Sequence, residues 1–151
     1  MGRVSTAYFS ELEFCDDALL QFPAGLPGFD DERQFVLIER PPQKPIVFLQ
    51  SLRTPGLCFV TVPVQVVDPR YELMVANADL ETLGLEENHR PRPGRDVLCL
   101  AIVTFHEDGP TANLRAPVVI DLQTRRAVQA IAPGERYSHR HPLAAQGAVT
   151  C

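Results

Sequence analysis

One lysine, Lys44, stands in a chain of 151 residues, and the rest of its 14 basic side chains are arginine. No polybasic run exists to meet an anionic membrane surface. The formal net charge is -5, from 14 basic and 19 acidic residues, so the chain lacks the clustered cations from which phosphate binding draws its affinity. Direct nucleic-acid binding is not expected. No stretch of about 18 or more apolar residues occurs. The N-terminus also lacks the charged-then-apolar layout of a signal peptide. Neither a membrane span nor export is expected, and the chain reads as cytoplasmic.

Paired cysteines are missing too. Cys15, Cys58, Cys99 and Cys151 are widely spaced, with no Cys-x-x-Cys and no framework of a secreted disulfide domain. They read as reduced thiols, and Cys58 and Cys99, inside apolar runs, as small buried hydrophobes.

The motifs of catalysis are absent. There is no Gly-x-Ser-x-Gly turn, no His-Glu-x-x-His and no glycine-rich phosphate loop. His139 and His141 lie two apart and on a strand would share a face, but no other ligand pattern completes a metal site. The acid pairs Asp16 with Asp17, Asp30 with Asp31 and Glu86 with Glu87 read as solvated loop carboxylates. Ser51, Thr111 and Ser138 read as hydrogen-bonding turn or strand residues. No catalytic residue, metal ligand or cofactor is nominated. A metal- or Cys-dependent enzyme and a small-ligand-binding β-barrel stay open as alternatives to a protein-binding role.

What the chain has in excess is proline, 14 of 151 residues against roughly 5% on average. Proline interrupts helix interiors, so long helices are not expected. Short apolar segments recur between turn signals: Leu19 to Phe22, Gln34 to Glu39, Ile46 to Leu52, Leu57 to Val62, Tyr71 to Val75, Val97 to Phe105, Val118 to Leu122 and Ala127 to Ile131. Each is strand-sized and rich in β-forming residues. Val97 to Phe105 is apolar almost throughout, as in a central strand covered on both faces. Pro63 to Arg70, with two prolines, suits an edge or a crossover.

One short helix is expected after Asn77, with Asn77 as cap, Leu80 and Leu83 on the buried face, Gly84 at C′ and Leu85 as the contact beyond it. Asp30 to Arg33 reads as a single helical turn capped by Asp30. Glu86 to Asp96 reads as loop. The expectation is a mainly β, single-domain barrel over residues 1-151, closed or partly open. It has about eight to eleven strands and one or two short helices, and a short flexible tail from about residue 144.

Gly25-Leu26-Pro27-Gly28-Phe29 is more particular. Pro27 and Gly28 suit the two central positions of a type II turn, the second of which needs positive φ. The turn then aims Phe29, either as a plug of the core or as an exposed aromatic anchor for a partner.

This loop is one of several segments that resemble the FliW family of flagellar assembly factors in the same order along the chain. Phe22, Pro23 and Gly25 to Phe29 resemble its Phe-Pro-x-Gly-(Leu/Ile)-Pro-Gly-Phe signature. Leu49, Gln50 and Ser51 resemble its Leu-Gln-Ser strand, and Leu83, Gly84 and Leu85 its helix end. Thr111 to Leu114 with Ala116 to Ile120 resemble its Thr-Ala-Asn-Leu-x-Ala-Pro block. Tyr137, Ser138 and Arg140 to Leu143 resemble its Tyr-(Ser/Thr)-x-Arg-His-Pro-Leu close.

The resemblance implies a cytoplasmic, non-enzymatic regulator, expected as a monomer. It would bind flagellin before export and, alternatively, bind and antagonise CsrA, the RNA-binding repressor of flagellin translation. The candidate partner-binding residues are Gly28, Phe29, Gln50, Asn113, Arg140 and His141. For Gln50 and Asn113 the alternative role is an amide satisfying turns and bulges, and for Arg140 and His141 a capping or salt-bridge role. This chain departs from relatives in its short His106 to Pro110 loop and in its brief segment after Leu143, so contacts made there are expected to differ.

Overall fold

The computed structural model describes residues 1–143; the tail expected from about 144 lies outside them. Its strands are β1 (Gly2–Thr6), β2 (Ser10–Phe14), β3 (Leu19–Gln21), β4 (Gln34–Glu39), β5 (Val47–Ser51), β6 (Cys58–Pro63), β7 (Val97–His106), β8 (Gly109–Ala112), β9 (Val118–Asp121), β10 (Ala127–Gln129) and β11 (His141–Pro142). Two α-helices, α1 (Val64–Val67) and α2 (Asn77–Leu83), and two 3-10 turns, Asp16–Ala18 and Pro41–Gln43, join them.

β1 and β2 form a separate antiparallel hairpin, and the other strands form one sheet in the order β10-β9-β7-β6-β5-β4-β3. β8 branches from β7 and carries β11 on its far side. The ends of the path meet at one parallel bridge between Gln21 and Arg126, where Gln21 N–H donates to the Arg125 carbonyl at 2.9 Å. The barrel is drawn together at one corner and has no ladder along that seam, so it is partly open.

β7 explains why its sequence is apolar on both faces. Leu100 faces a core cluster with Leu20, Phe22, Phe35, Leu49 and Ile120. Val97, Cys99, Ala101 and Val103 face a second cluster with Val64, Tyr71, Leu83 and Leu114. A strand alternates its side chains between faces, so a strand between two cores must be apolar at nearly every position. β7 is the central strand, pairing with β6, β8 and β9.

The expected helix forms with its expected C-terminus. Gly84 adopts φ 81°, and Leu85 N–H donates to the Leu80 carbonyl at 2.8 Å, closing the orphan carbonyls as a left-handed cap does. Leu80 and Leu83 are buried. The start differs: Ala76 occupies the cap without a side-chain bond, and the Asn77 side-chain oxygen, Oδ1, accepts Asn88 N–H at 2.8 Å instead. Asn77 thereby ties the helix to the following loop.

Three further expectations are corrected. Tyr71–Val75 forms no ladder; Tyr71, Leu73 and Val75 pack on the second core, and no strand of the described residues pairs with the segment. Pro63 ends β6 inside the sheet rather than at an edge, and Val64–Val67 winds into a helical turn that buries Val64. Around Asp30 there is a turn, closed by Glu32 N–H on the Phe29 carbonyl at 3.0 Å, and no helix. The hairpin β1–β2 and the strands β8 and β11 were not anticipated, being too short or too polar to stand out by alternation.

Candidate functional site

The Gly25–Phe29 segment folds as a tight two-way turn: Phe29 N–H donates to the Leu26 carbonyl at 2.7 Å, and Leu26 N–H to the Phe29 carbonyl at 3.3 Å. Gly28 has φ 84°, as the second central position of a type II turn requires. Gly25 has φ 69° and a second constraint, since a Cβ there would lie 2.6 Å from the Asp30 carbonyl oxygen. Leu26 is buried and anchors the turn, whereas Phe29 is 41% exposed. Phe29 is therefore the surface end of an aromatic series and no plug of the core. Its ring meets Phe59 edge-on at 5.7 Å, Phe59 meets Phe35 at 5.9 Å, and Phe35 meets Phe22 at 5.1 Å.

The turn is fastened to the loop after β5 by one carboxylate. Glu32 receives the Ser51 hydroxyl at 2.5 Å and the Thr54 hydroxyl at 2.6 Å. Ser51 Oγ in turn accepts Arg53 N–H at 3.0 Å and Thr54 N–H at 2.9 Å. The Ser51 bond, then the Thr54 bond, hold the Glu32 carboxyl below its ordinary range, against the opposing effect of burial.

Gln50, beside Ser51, is fully buried. Its amide nitrogen donates to the carbonyls of Ser51, Thr54 and Pro55 at 3.0, 3.4 and 3.2 Å, shaping the same loop from beneath. Its amide oxygen has no partner among the described residues. Gln50 supports the surface that carries Phe29 and is itself out of a partner's reach in this conformation.

Asn113, Arg140 and His141 gather elsewhere. The Asn113 side-chain oxygen accepts Arg115 N–H at 3.1 Å and Ala116 N–H at 3.0 Å, an Asx-type turn between β8 and β9. Arg140 is exposed, with its N–H on Ser138 Oγ at 2.9 Å. His141 pairs with Ala112 across β11 and β8. This group is braced by two tyrosines stacked at 4.3 Å. Tyr71 donates its hydroxyl to the Leu114 carbonyl at 2.6 Å, and the Tyr137 oxygen accepts Glu72 N–H at 2.8 Å. Burial pushes the Tyr71 phenol upward. The six candidate residues thus fall into two groups, one at the Gly25–Phe29 turn and one at the β8–β11 corner.

Glu32, Thr54 and Phe59 were not singled out by sequence. Glu32 is one acid among several in its loop, and only the folded register of β4 and β5 brings it to Ser51. Among the described residues no three His, Cys, Asp or Glu side chains gather as a metal would need. Burial raises the thiols of Cys58 and Cys99 to about 11 and about 12, so both are held as neutral thiols near neutral pH and are poor nucleophiles. No described helix is long and apolar enough to cross a membrane.

Comparison with known proteins agrees with the segment order. The family model described as FliW protein matches residues 3–143. A flagellar assembly factor FliW of Syntrophomonas wolfei is 32% identical over 143 residues, covering 93% of this chain and 88% of the relative. One of Shouchella clausii is 31% identical over 147 residues, covering 96% and 97%. A crystal structure of the flagellar assembly factor FliW superposes with a TM-score of 0.80 at 34% identity, covering 95% of this chain and 97% of that one. A match over nearly the whole length, in sequence and in fold, places the chain in the FliW family of flagellar assembly factors.

Proposed function

We propose that this protein works in the cytoplasm by partner exchange, holding flagellin before export and alternatively holding a CsrA-type RNA-binding repressor, whose action on flagellin translation it antagonises. Output is then set by competing affinities and not by turnover, since a ligand moves an equilibrium only by its differential binding. Family membership supplies the class of function. The observation that carries the binding mode is Phe29, an exposed aromatic on a turn locked by two positive-φ glycines and by Glu32. A large ring presented on a rigid support loses little entropy on docking, which is what an interface anchor needs.

Charge supports the second partner. A net charge of -5 with a single lysine suits a protein that approaches an RNA-binding surface and disfavours phosphate there.

The test is titration calorimetry with purified flagellin and CsrA from the same organism, each alone and then in competition. Micromolar or tighter binding to both, with one displacing the other, is the expected result. No heat with either partner at micromolar concentration overturns the reading.

A further inference from the structure

Tyr71–Val75 has the strand composition noted in the sequence but pairs with no strand among the described residues. Tyr71 is buried and Leu73 and Val75 pack on the second core, while Glu72, Met74 and Ala76 are exposed. That alternation is the signature of an extended chain. Glu72 N–H is taken by Tyr137, but no hydrogen bond among the described residues engages the backbone of Leu73, Met74 or Val75. Unpaired groups on an extended segment form a template for another strand.

An open groove of about 540 Å³ runs alongside, between Leu73–Asn77 and Asn88–Pro91. The mutual Asn77 and Asn88 contacts, at 2.8 and 3.4 Å, hold its two walls together. Its only ionisable lining side chains are His89 and Arg90, and neither forms an ion pair among the described residues. Four carboxylates of neighbouring segments are engaged or line other surface. Asp96 is held by Arg92 at 3.7 Å, Glu72 is paired with Arg136, and Glu81 and Glu87 line a neighbouring groove that shares only Asn77.

We propose that this groove receives an extended, acidic peptide segment of a partner protein, which adds as a short strand to Leu73–Val75 and sets a carboxylate against Arg90 and His89. Main-chain bonds along the added strand supply affinity, and the Arg90 guanidinium supplies selection for acidic side chains. The site is separate from the Phe29 turn and stands whether or not flagellin or CsrA binds.

The probe is a fluorescein-labelled peptide of about eight alternating Val and Glu residues, titrated by anisotropy into the full chain at low and high salt. Saturable, salt-sensitive binding is expected, weakened at least about tenfold by Arg90→Glu. Amide exchange at Leu73–Val75 is expected to slow when the peptide is bound. Arg90 is exposed, so a thermal melt that matches wild type keeps the variant interpretable. The proposal is overturned by any one of four results: no saturation up to about 1 mM, equal binding of a control peptide of the same length with Lys in place of Glu, unaltered binding by Arg90→Glu, or unchanged exchange at Leu73–Val75.

Discussion

The carboxylate of Glu32 and the hydroxyl of Ser51 meet at 2.5 Å, and this contact makes one unit of two segments that are 19 residues apart in sequence. Ser51 uses its proton on Glu32 and its lone pairs on Arg53 and Thr54 N–H, so the hydroxyl is saturated. Hydrogen bonds to a charged group contribute about 1.5–3 kcal/mol each, less where water competes. Glu32→Ala is therefore expected to lower stability by about 1–2 kcal/mol, read as a reduced urea midpoint with an unchanged m-value.

The same carboxylate gives a pH dependence of known sign. Its folded pKa lies below its ordinary value of 4.5. The stabilisation is thus fully present above that value and is lost as pH falls through the depressed folded value. The stability difference between wild type and Glu32→Gln, measured by urea unfolding, should be constant from about pH 7 to pH 6 and shrink below about pH 4.5. A difference that grows on acidification contradicts the assignment.

Gly25 and Gly28 both have positive φ, yet substitution should separate them. Around Gly28 there is nothing within 4 Å of an added Cβ, so Gly28→Ala meets only the conformational penalty, about 1 kcal/mol. Gly25→Ala adds a clash with the Asp30 backbone at 2.6 Å, which only a shift of the loop relieves. Thermal melts should show a clearly larger loss for Gly25→Ala.

The central strand, the left-handed end of α2 and the Gly28 turn were legible because each depends on local chemistry: apolar continuity, positive φ and residue spacing. Tyr71–Val75 was misread because alternation reports a buried face and not a neighbouring strand; the ladder partner is a tertiary fact. Asn77 was misread as a cap because its side chain had a better use at Asn88. Of the candidate site, the turn and its aromatic were visible, but whether Phe29 faces the core or solvent depends on Phe59, which β6 supplies from 30 residues away. For Gln50 and Asn113 residue type alone fits either an interface or an internal role, and the structure gives both amides intramolecular bonds.

Gln50 offers a test of how that loop is built. Three carbonyls converge on its amide nitrogen inside a site with no solvent exposure. Gln50→Glu keeps the shape and replaces the donor with an acceptor, leaving a buried carboxylate among carbonyl oxygens. The expected loss is at least about 3 kcal/mol at neutral pH. Burial raises the new carboxyl's pKa, so the loss should ease as pH falls and the group protonates. Urea unfolding at two pH values reads both effects.

Phe29 separates binding from folding. With 41% of its surface exposed and one edge-on contact to Phe59, Phe29→Ala should cost about 1 kcal/mol of stability. If the ring is the anchor, the same change should weaken flagellin or CsrA binding by at least about tenfold. Phe22→Ala is the contrast, since Phe22 is fully buried and its removal should cost about 3–5 kcal/mol. Calorimetry at a temperature where both variants remain folded distinguishes the two. Weak binding by Phe29→Ala with near-wild-type binding by folded Phe22→Ala assigns the anchor to the exposed ring. Undiminished binding of both partners by Phe29→Ala moves the interface away from this turn.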